Sequence, residues 1–222
     1  DEASSEGSTD KDLLEKCLSA HQPLASWSRV KWIPVARSLG EQPFISAAID
    51  PNRDVRQRIR AIEIVTHLFG GFDARNLATL AGDSDDSIRA RTAWALGRQS
   101  WDCAEVEITK RLLNDNHPRV VRYALESAAR HSSSRGIATL IPHVAQRLGA
   151  PDRFVRQAAG KLVARLTSQQ QLEIAQDIQQ TNHRAQVAFA LAVTDRIAVP
   201  HVPALELACE VLCDTEDPQT RL

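Results

Sequence analysis

GDSDDSIRARTAWALG, residues 82–97, decides the fold, because the chain repeats its outline. The outline returns as DPNRDVRQRIRAIEIV at 50–65, DNHPRVVRYALESAAR at 115–130 and APDRFVRQAAGKLVAR at 150–165. Each stretch holds a hydrophobic residue followed by arginine. The pairs are Val55-Arg56, Ile88-Arg89, Val121-Arg122 and Val155-Arg156, at intervals of 33, 33 and 34 residues. A fixed period of that length marks an architecture of stacked repeats. NHRAQVAFALAV at 182–193 is a degenerate fifth copy, with Ala185-Gln186 in the place of the pair, and a sixth begins at DTEDPQTRL, residues 214–222.

Every copy has the same local logic. An Asp, Asn or Pro turn is followed by apolar residues at intervals of three and four, which lie in one stripe on a helix. Around Arg156 the stripe is Val155, Ala159, Leu162, Val163 and Leu166. A second apolar-periodic stretch precedes each turn: 44–49, 77–81, 108–113, 137–148 and 172–178. The unit therefore reads as helix, tight turn, helix. Asp83, Asp115 and Asp152 in the turns are expected to accept bonds from the first N–H groups of the second helix, where negative charge suits the helix dipole. One such pair of helices cannot bury both stripes alone, so neighbours must stack. The fold class expected is all-α, a right-handed α-solenoid of stacked antiparallel helix pairs.

The spacing D-x-x-x-x-[VI]-R followed by A-x-A-L-G, best preserved from Asp83 to Gly97, resembles a HEAT repeat, and is similar to the short HEAT-like type also seen in phycobilisome lyases. The resemblance covers residues 42–222. It departs from the pattern at Asn116, with Asp115 one position early, at Ala150 in place of the turn Asp, and at Ala185-Gln186. Residues 11–41 fall outside it, yet LLEKCL and VKWIPVARSL read as helical, with Pro34 expected to break or start a helix. They are read as an N-terminal helical cap over the first repeat. Residues 1–10, DEASSEGSTD, read as a disordered, acidic, Ser-rich linker, and the solenoid at 42–222 reads as ending in a truncated repeat of a longer chain.

Composition agrees. In 222 residues, 31 Ala and 22 Leu stand against 9 Gly, 1 Tyr and 5 Phe, which favours close-packed helices over sheets. At 43% hydrophobic and 25% charged the chain is neither collagen-like nor, in its bulk, disordered. The longest charge-free stretches, such as Ala185 to Thr194, fall short of the ~20 apolar residues a spanning helix needs, and no membrane partner is expected. Cys17, Cys103, Cys209 and Cys213 show no CxxC spacing and read as small hydrophobes. Nothing in the sequence addresses the chain to a compartment, and the cytoplasm is the default expectation.

No HExxH, GxSxG, GxGxxG, P-loop or EF-hand motif occurs, and no two of the seven histidines stand four apart. The His-Glu pairs that hold iron in the HEAT-like deoxyhypusine hydroxylases are missing too. No catalytic residue, metal ligand or cofactor is expected, and the chain reads as a non-enzyme.

Surfaces remain. Between Asp50 and Leu166 there are 19 Lys and Arg against 13 Asp and Glu, whereas the ends hold 8 against 15, so the net charge of −1 conceals a basic middle. The recurring Arg56, Arg89, Arg122 and Arg156 are a structural ladder by resemblance, each arginine bonding the turn Asp of its own or a neighbouring repeat. Positions on the second helices away from the apolar stripe include Arg58, Arg91, Trp94, Arg98, Tyr123, Arg130, Lys161 and Arg165. In a solenoid the second helices line the concave face. Arg91, Trp94, Arg98, Tyr123 and Lys161 are therefore the candidate contacts for a protein partner, an acidic segment or another domain of the same longer chain, with aromatics as anchors and arginine as the charged contact. A basic concave face also suits a nucleic-acid backbone, as in certain HEAT-like DNA glycosylases, but a pI near 6.7 lies below the basic range typical of such domains. The expected function is a non-catalytic interaction module or scaffold.

Overall fold

The computed structural model describes residues 9–178 and 183–194, all of it helix, turn or loop among the described residues. Cys209, Cys213 and His201, the sixth copy and residues 1–8 of the linker lie outside them. The chain divides into two compact units at Gln99/Ser100.

Unit 1 contains α1 (Asp10–Leu18), α2 (Ser26–Leu39), α3 (Gln42–Ile49), α4 (Val55–Leu68), α5 (Ala74–Ala81) and α6 (Asp86–Leu96). α1 packs on α2, α3 on α4 and α5 on α6, while α3 also meets α5 and α4 meets α6. First helices thus lie beside first helices and second beside second, the arrangement that lets the two stripes of each pair close on their neighbours. The core is Phe44, Ile62, Leu77, Leu80, Ile88 and Leu96, all fully buried. α1 also packs on α4, where Glu15 accepts from Arg53 at 2.6 Å and from Gln57 at 2.9 Å.

Unit 2 contains α7 (Cys103–Leu113), α8 (Pro118–Arg130), a 3-10 turn (Arg135–Leu140), α9 (Ile141–Leu148), α10 (Arg153–Val163), α11 (Ser168–Ile178) and α12 (His183–Thr194). α7 packs on α8 and α9 on α10, with α8 against α10 and α10 against α12. Leu112, Leu113, Leu125, Leu140, Leu148, Leu162 and Phe189 fill its core. The degenerate fifth copy is thereby a regular second helix, α12, in spite of its missing arginine.

Three local expectations change. Helix α1 begins at Asp10, inside the expected linker, because Thr9 and Asp12 form a capping box that satisfies its first N–H groups. Pro34 sits inside α2 and does not break it. The proline and Val30, whose carbonyl it deprives of a partner, are both exposed, so water can take that bond. Asp83 and Asp115 do not cap the helices that follow: each accepts from the backbone two residues on, at Asp85 and His117, and those two residues are the caps. Asp152 does cap α10, accepting from the N–H groups of Phe154 and Val155 at 2.9 Å.

Candidate interaction surface

The arginine ladder has an unexpected anchor. Arg89 donates from one Nη to the backbone carbonyls of Asp83 and Ser84, both at 3.0 Å. Arg156 makes the same fork to the carbonyls of Ala150 and Pro151, both at 2.8 Å. The acceptors of both forks are backbone oxygens, and because such a fork needs no particular turn side chain, Ala150 serves as well as Asp83. The other two members differ. Arg56 is exposed in the first turn of α4. In α8 the extra turn residue moves the cap to His117, and Arg122 instead reaches Glu126 at 3.4 Å and lies over the Tyr123 ring.

Arg58 is corrected from surface to seam. It is only 4% exposed, donates to the Ala48 carbonyl at 3.0 Å and pairs with the carboxylate of Asp83 from the next repeat. Arg165, exposed in part of its length, donates to Ala129 at the end of α8 at 3.0 Å and closes a helix C-terminus there.

Arg91, Trp94 and Arg98 are brought together at the end of α6. Arg91 and Trp94 stand three apart on one face of the helix, Arg98 lies in the turn just past its C-cap Gly97, and both guanidinium groups lie over the indole, at 4.8 Å for Arg91 and 3.9 Å for Arg98. Arg98 is held by its bond to the Trp94 carbonyl at 3.0 Å. From α4, His67 meets the same indole edge-on at 5.3 Å, and Glu63 pairs with Arg91 at 3.4 Å. Partial desolvation, then the charge of Arg98, holds the His67 imidazole below its ordinary pKa. Glu63 also pairs with Arg60 at 3.3 Å, and Arg60 lies over Trp32 of α2 at 4.2 Å. The result is a ladder across three second helices, Trp32, Arg60, Glu63, Arg91, Trp94 and Arg98, in which aromatic planes alternate with guanidinium groups.

Tyr123 and Lys161 belong to unit 2 and to different settings. Tyr123 is half-buried under its neighbour Arg122. Lys161 is exposed on α10 and stands six positions after Val155, as Trp94 does after Ile88, so the two share a register in the repeat; Tyr123 does not. Sequence reading had missed Glu63, His67, Arg60 and Trp32. They lie 27 or more residues from Trp94, and only the packing of α4 between α2 and α6 would have disclosed them. Among the described residues no group of His, Cys, Asp and Glu is placed to hold a metal ion.

No model of a known protein family matches the chain, and no curated protein does. Solved structures do resemble it. The Escherichia coli protein YibA superposes with a TM-score of 0.50 at 15% identity, over 97% of this chain and 72% of that one. A designed armadillo repeat protein superposes with a TM-score of 0.53 at 12% identity, over 91% of each chain. Together with the helix pairing, these show an all-α fold of stacked helical repeats, an α-solenoid.

Proposed function

We propose that the chain is a non-catalytic interaction module of short HEAT-like repeats, whose second-helix surface binds a protein segment carrying acidic side chains. The observation that supports this most is the Arg91, Trp94, Arg98 cluster. Trp94 is a large aromatic left partly open, with its rotamer fixed by two arginines, a histidine and its own helix. Such a residue loses little conformational freedom when a partner covers it, which is where preorganised binding sites gain affinity. Arg60 and Arg91 share the single carboxylate of Glu63, so the cluster offers more positive than negative charge beside an apolar plate. An acidic residue next to an apolar one complements it. Lys161 extends the same register in unit 2.

The test is selection of peptides from a random display library on the 222-residue chain, followed by fluorescence anisotropy with the selected peptides and with labelled duplex DNA at about 50 and 200 mM salt. The expected result is Asp- and Glu-rich peptides with one apolar anchor, whose binding is lost in Trp94→Ala/Arg98→Glu while helical content is unchanged. Equal binding by that variant overturns the assignment of the site. Tight, steeply salt-dependent DNA binding without peptide enrichment hands the surface to nucleic acid.

A further inference from the structure

A second surface, on the first helix pair of unit 1, has a chemistry of its own. Leu24, Trp27 and Val30 are 73%, 51% and 75% exposed. They follow at intervals of three, and exposed Pro34 continues their line along α2. Single exposed apolar residues are ordinary; three large ones in a row mark a contact surface. The turn that presents them is braced. The Trp32 indole donates to the Pro23 carbonyl at 3.0 Å and the Ser28 hydroxyl to the His21 carbonyl at 2.8 Å, so the segment before α2 is tied to the helix and Leu24 is held outward.

The charge of the segment that carries this patch has one sign. From Cys17 to Gly40 there is no Asp or Glu, and Lys31 and Arg37 are exposed on the side of Trp27, Val30 and Pro34, with Arg29 on the side of Arg60 and His67. The Lys31 ammonium stands 5.4 Å from the Trp27 ring centroid, and the His21 ring lies 6.5 Å away. On the partner helix, Asp10 and Asp12 occupy the first turn of α1, the end away from the His21–Ala25 turn, Glu15 is engaged by Arg53, and exposed Glu41 follows the far end of α2, beyond Gly40.

We infer that the outer face of α2 and the turn before it rest on an anionic lipid surface, with Leu24, Trp27 and Val30 at the boundary of headgroups and acyl chains and Lys31 and Arg37 on the lipid phosphates. Three features favour this occupant. The side chains project beyond their surroundings, whereas a protein-binding groove half-covers its lining. Indole beside aliphatic residues suits the membrane interface, and basic residues around them suit anionic headgroups. A second copy of the chain packed by this same face would set Lys31 and Arg37 against their own equivalents, with no acid from Cys17 to Gly40 to pair them, which like-charge repulsion opposes. The lack of a spanning segment bears on crossing a bilayer, not on lying against one: no helix of the described residues is long and apolar enough to cross.

The experiment is flotation of the 222-residue chain with phosphatidylcholine vesicles, with and without phosphatidylserine, at ~0.1 M salt. Flotation is expected only with phosphatidylserine. Lys31→Glu should weaken it about thirtyfold, the loss for removing one positive charge near an anionic surface and adding a negative one, and Trp27→Ser/Val30→Ser should abolish it. Both variants change exposed side chains, and circular dichroism verifies that they stay folded. Trp94→Ala/Arg98→Glu should float like the parent, which separates this surface from the peptide site. Absence of flotation with either vesicle, or flotation untouched by the Trp27 and Lys31 variants, overturns the proposal. So does self-association that Trp27→Ser/Val30→Ser removes without any vesicle binding.

Discussion

Unit 1 and unit 2 are built on one repeat and fill it differently. Three positions after the repeat's hydrophobic residue, unit 1 has Arg58 and Arg91, and unit 2 has Ala124 and Ala158. In unit 1 the space between second helices is therefore occupied by long polar side chains, linked through Asp83 and Glu63. In unit 2 both alanines are buried, and Gly160 brings α10 close to Ala192 of α12. Small residues give tight, apolar contact with nothing to offer a ligand; arginines give a wider, charged seam whose ends reach the surface. The comparison teaches that the repeat supplies the scaffold, while chemistry resides in the few positions where one unit departs from the other.

The largest effect is expected from exchanging the two solutions. Ala158→Arg places a long cation at a buried, close-packed position of unit 2, and Arg58→Met takes from Asp83 its buried cation in unit 1. Each should lower stability by about 3 kcal/mol or more, since an uncompensated buried charge is costly. In thermal unfolding followed by circular dichroism that is a fall of roughly 10 °C for a chain of this size. A smaller change in Ala158→Arg than in Arg58→Met would show that unit 2 tolerates the polar filling.

The ladder gives the next largest effect. Arg89→Ala and Arg156→Ala each remove a charged fork to two turn carbonyls and should cost about 2 kcal/mol, whereas exposed Arg56→Ala should cost less than about 0.5 kcal/mol. Chemical denaturation of the three variants side by side checks this, and equal losses would contradict the distinction drawn from their contacts.

Much of this was legible before any coordinates. Helix stripes and their period are local, so the helix pairs, the stacking and the Arg91, Trp94, Arg98 cluster at the end of α6 follow from residues within a turn or two of each other. What escaped depends on distant partners. Arg58 looks like a solvent-facing residue in its own helix, and only Asp83, 25 residues on, turns it into a buried one. Glu63 and His67 join Trp94 by the same kind of long-range packing, and Pro34 was misjudged because tolerance of a proline depends on which side of the helix faces water.

Two smaller effects sharpen the contrast further. A Cβ added at Gly160 would meet the Ala192 Cβ at 3.4 Å, ordinary contact, so Gly160→Ala should stabilise unit 2 by up to about 1 kcal/mol through helix propensity; a loss of stability would mean the α10/α12 approach is tighter than it stands. His67 in unit 1 and His143 in unit 2 both have imidazoles held below their ordinary pKa, first by desolvation and then by neighbouring cations, Arg98 for one and Lys110 and Arg147 for the other. The unfolded chain thus binds protons more readily at both sites. Their contribution is present above about pH 6.5, the unfolded value, and is lost as pH falls through the folded ones. Histidine titration by NMR should find both midpoints below that of a free imidazole, and His67→Gln should lessen the loss of stability between neutral and mildly acid pH.

The forks of Arg89 and Arg156 end on carbonyl oxygens, a group that every amino acid carries. The turn between the helices of a pair is thus held from outside, by a residue in the next helix, through atoms that a change of turn side chain leaves in place, so this clasp adds no demand to those that the helix caps and Asp83 already meet. Ala150 already uses that latitude. Such turns are natural grafting points, where a foreign loop of matching backbone path can be introduced and still be clasped by the arginine that follows it.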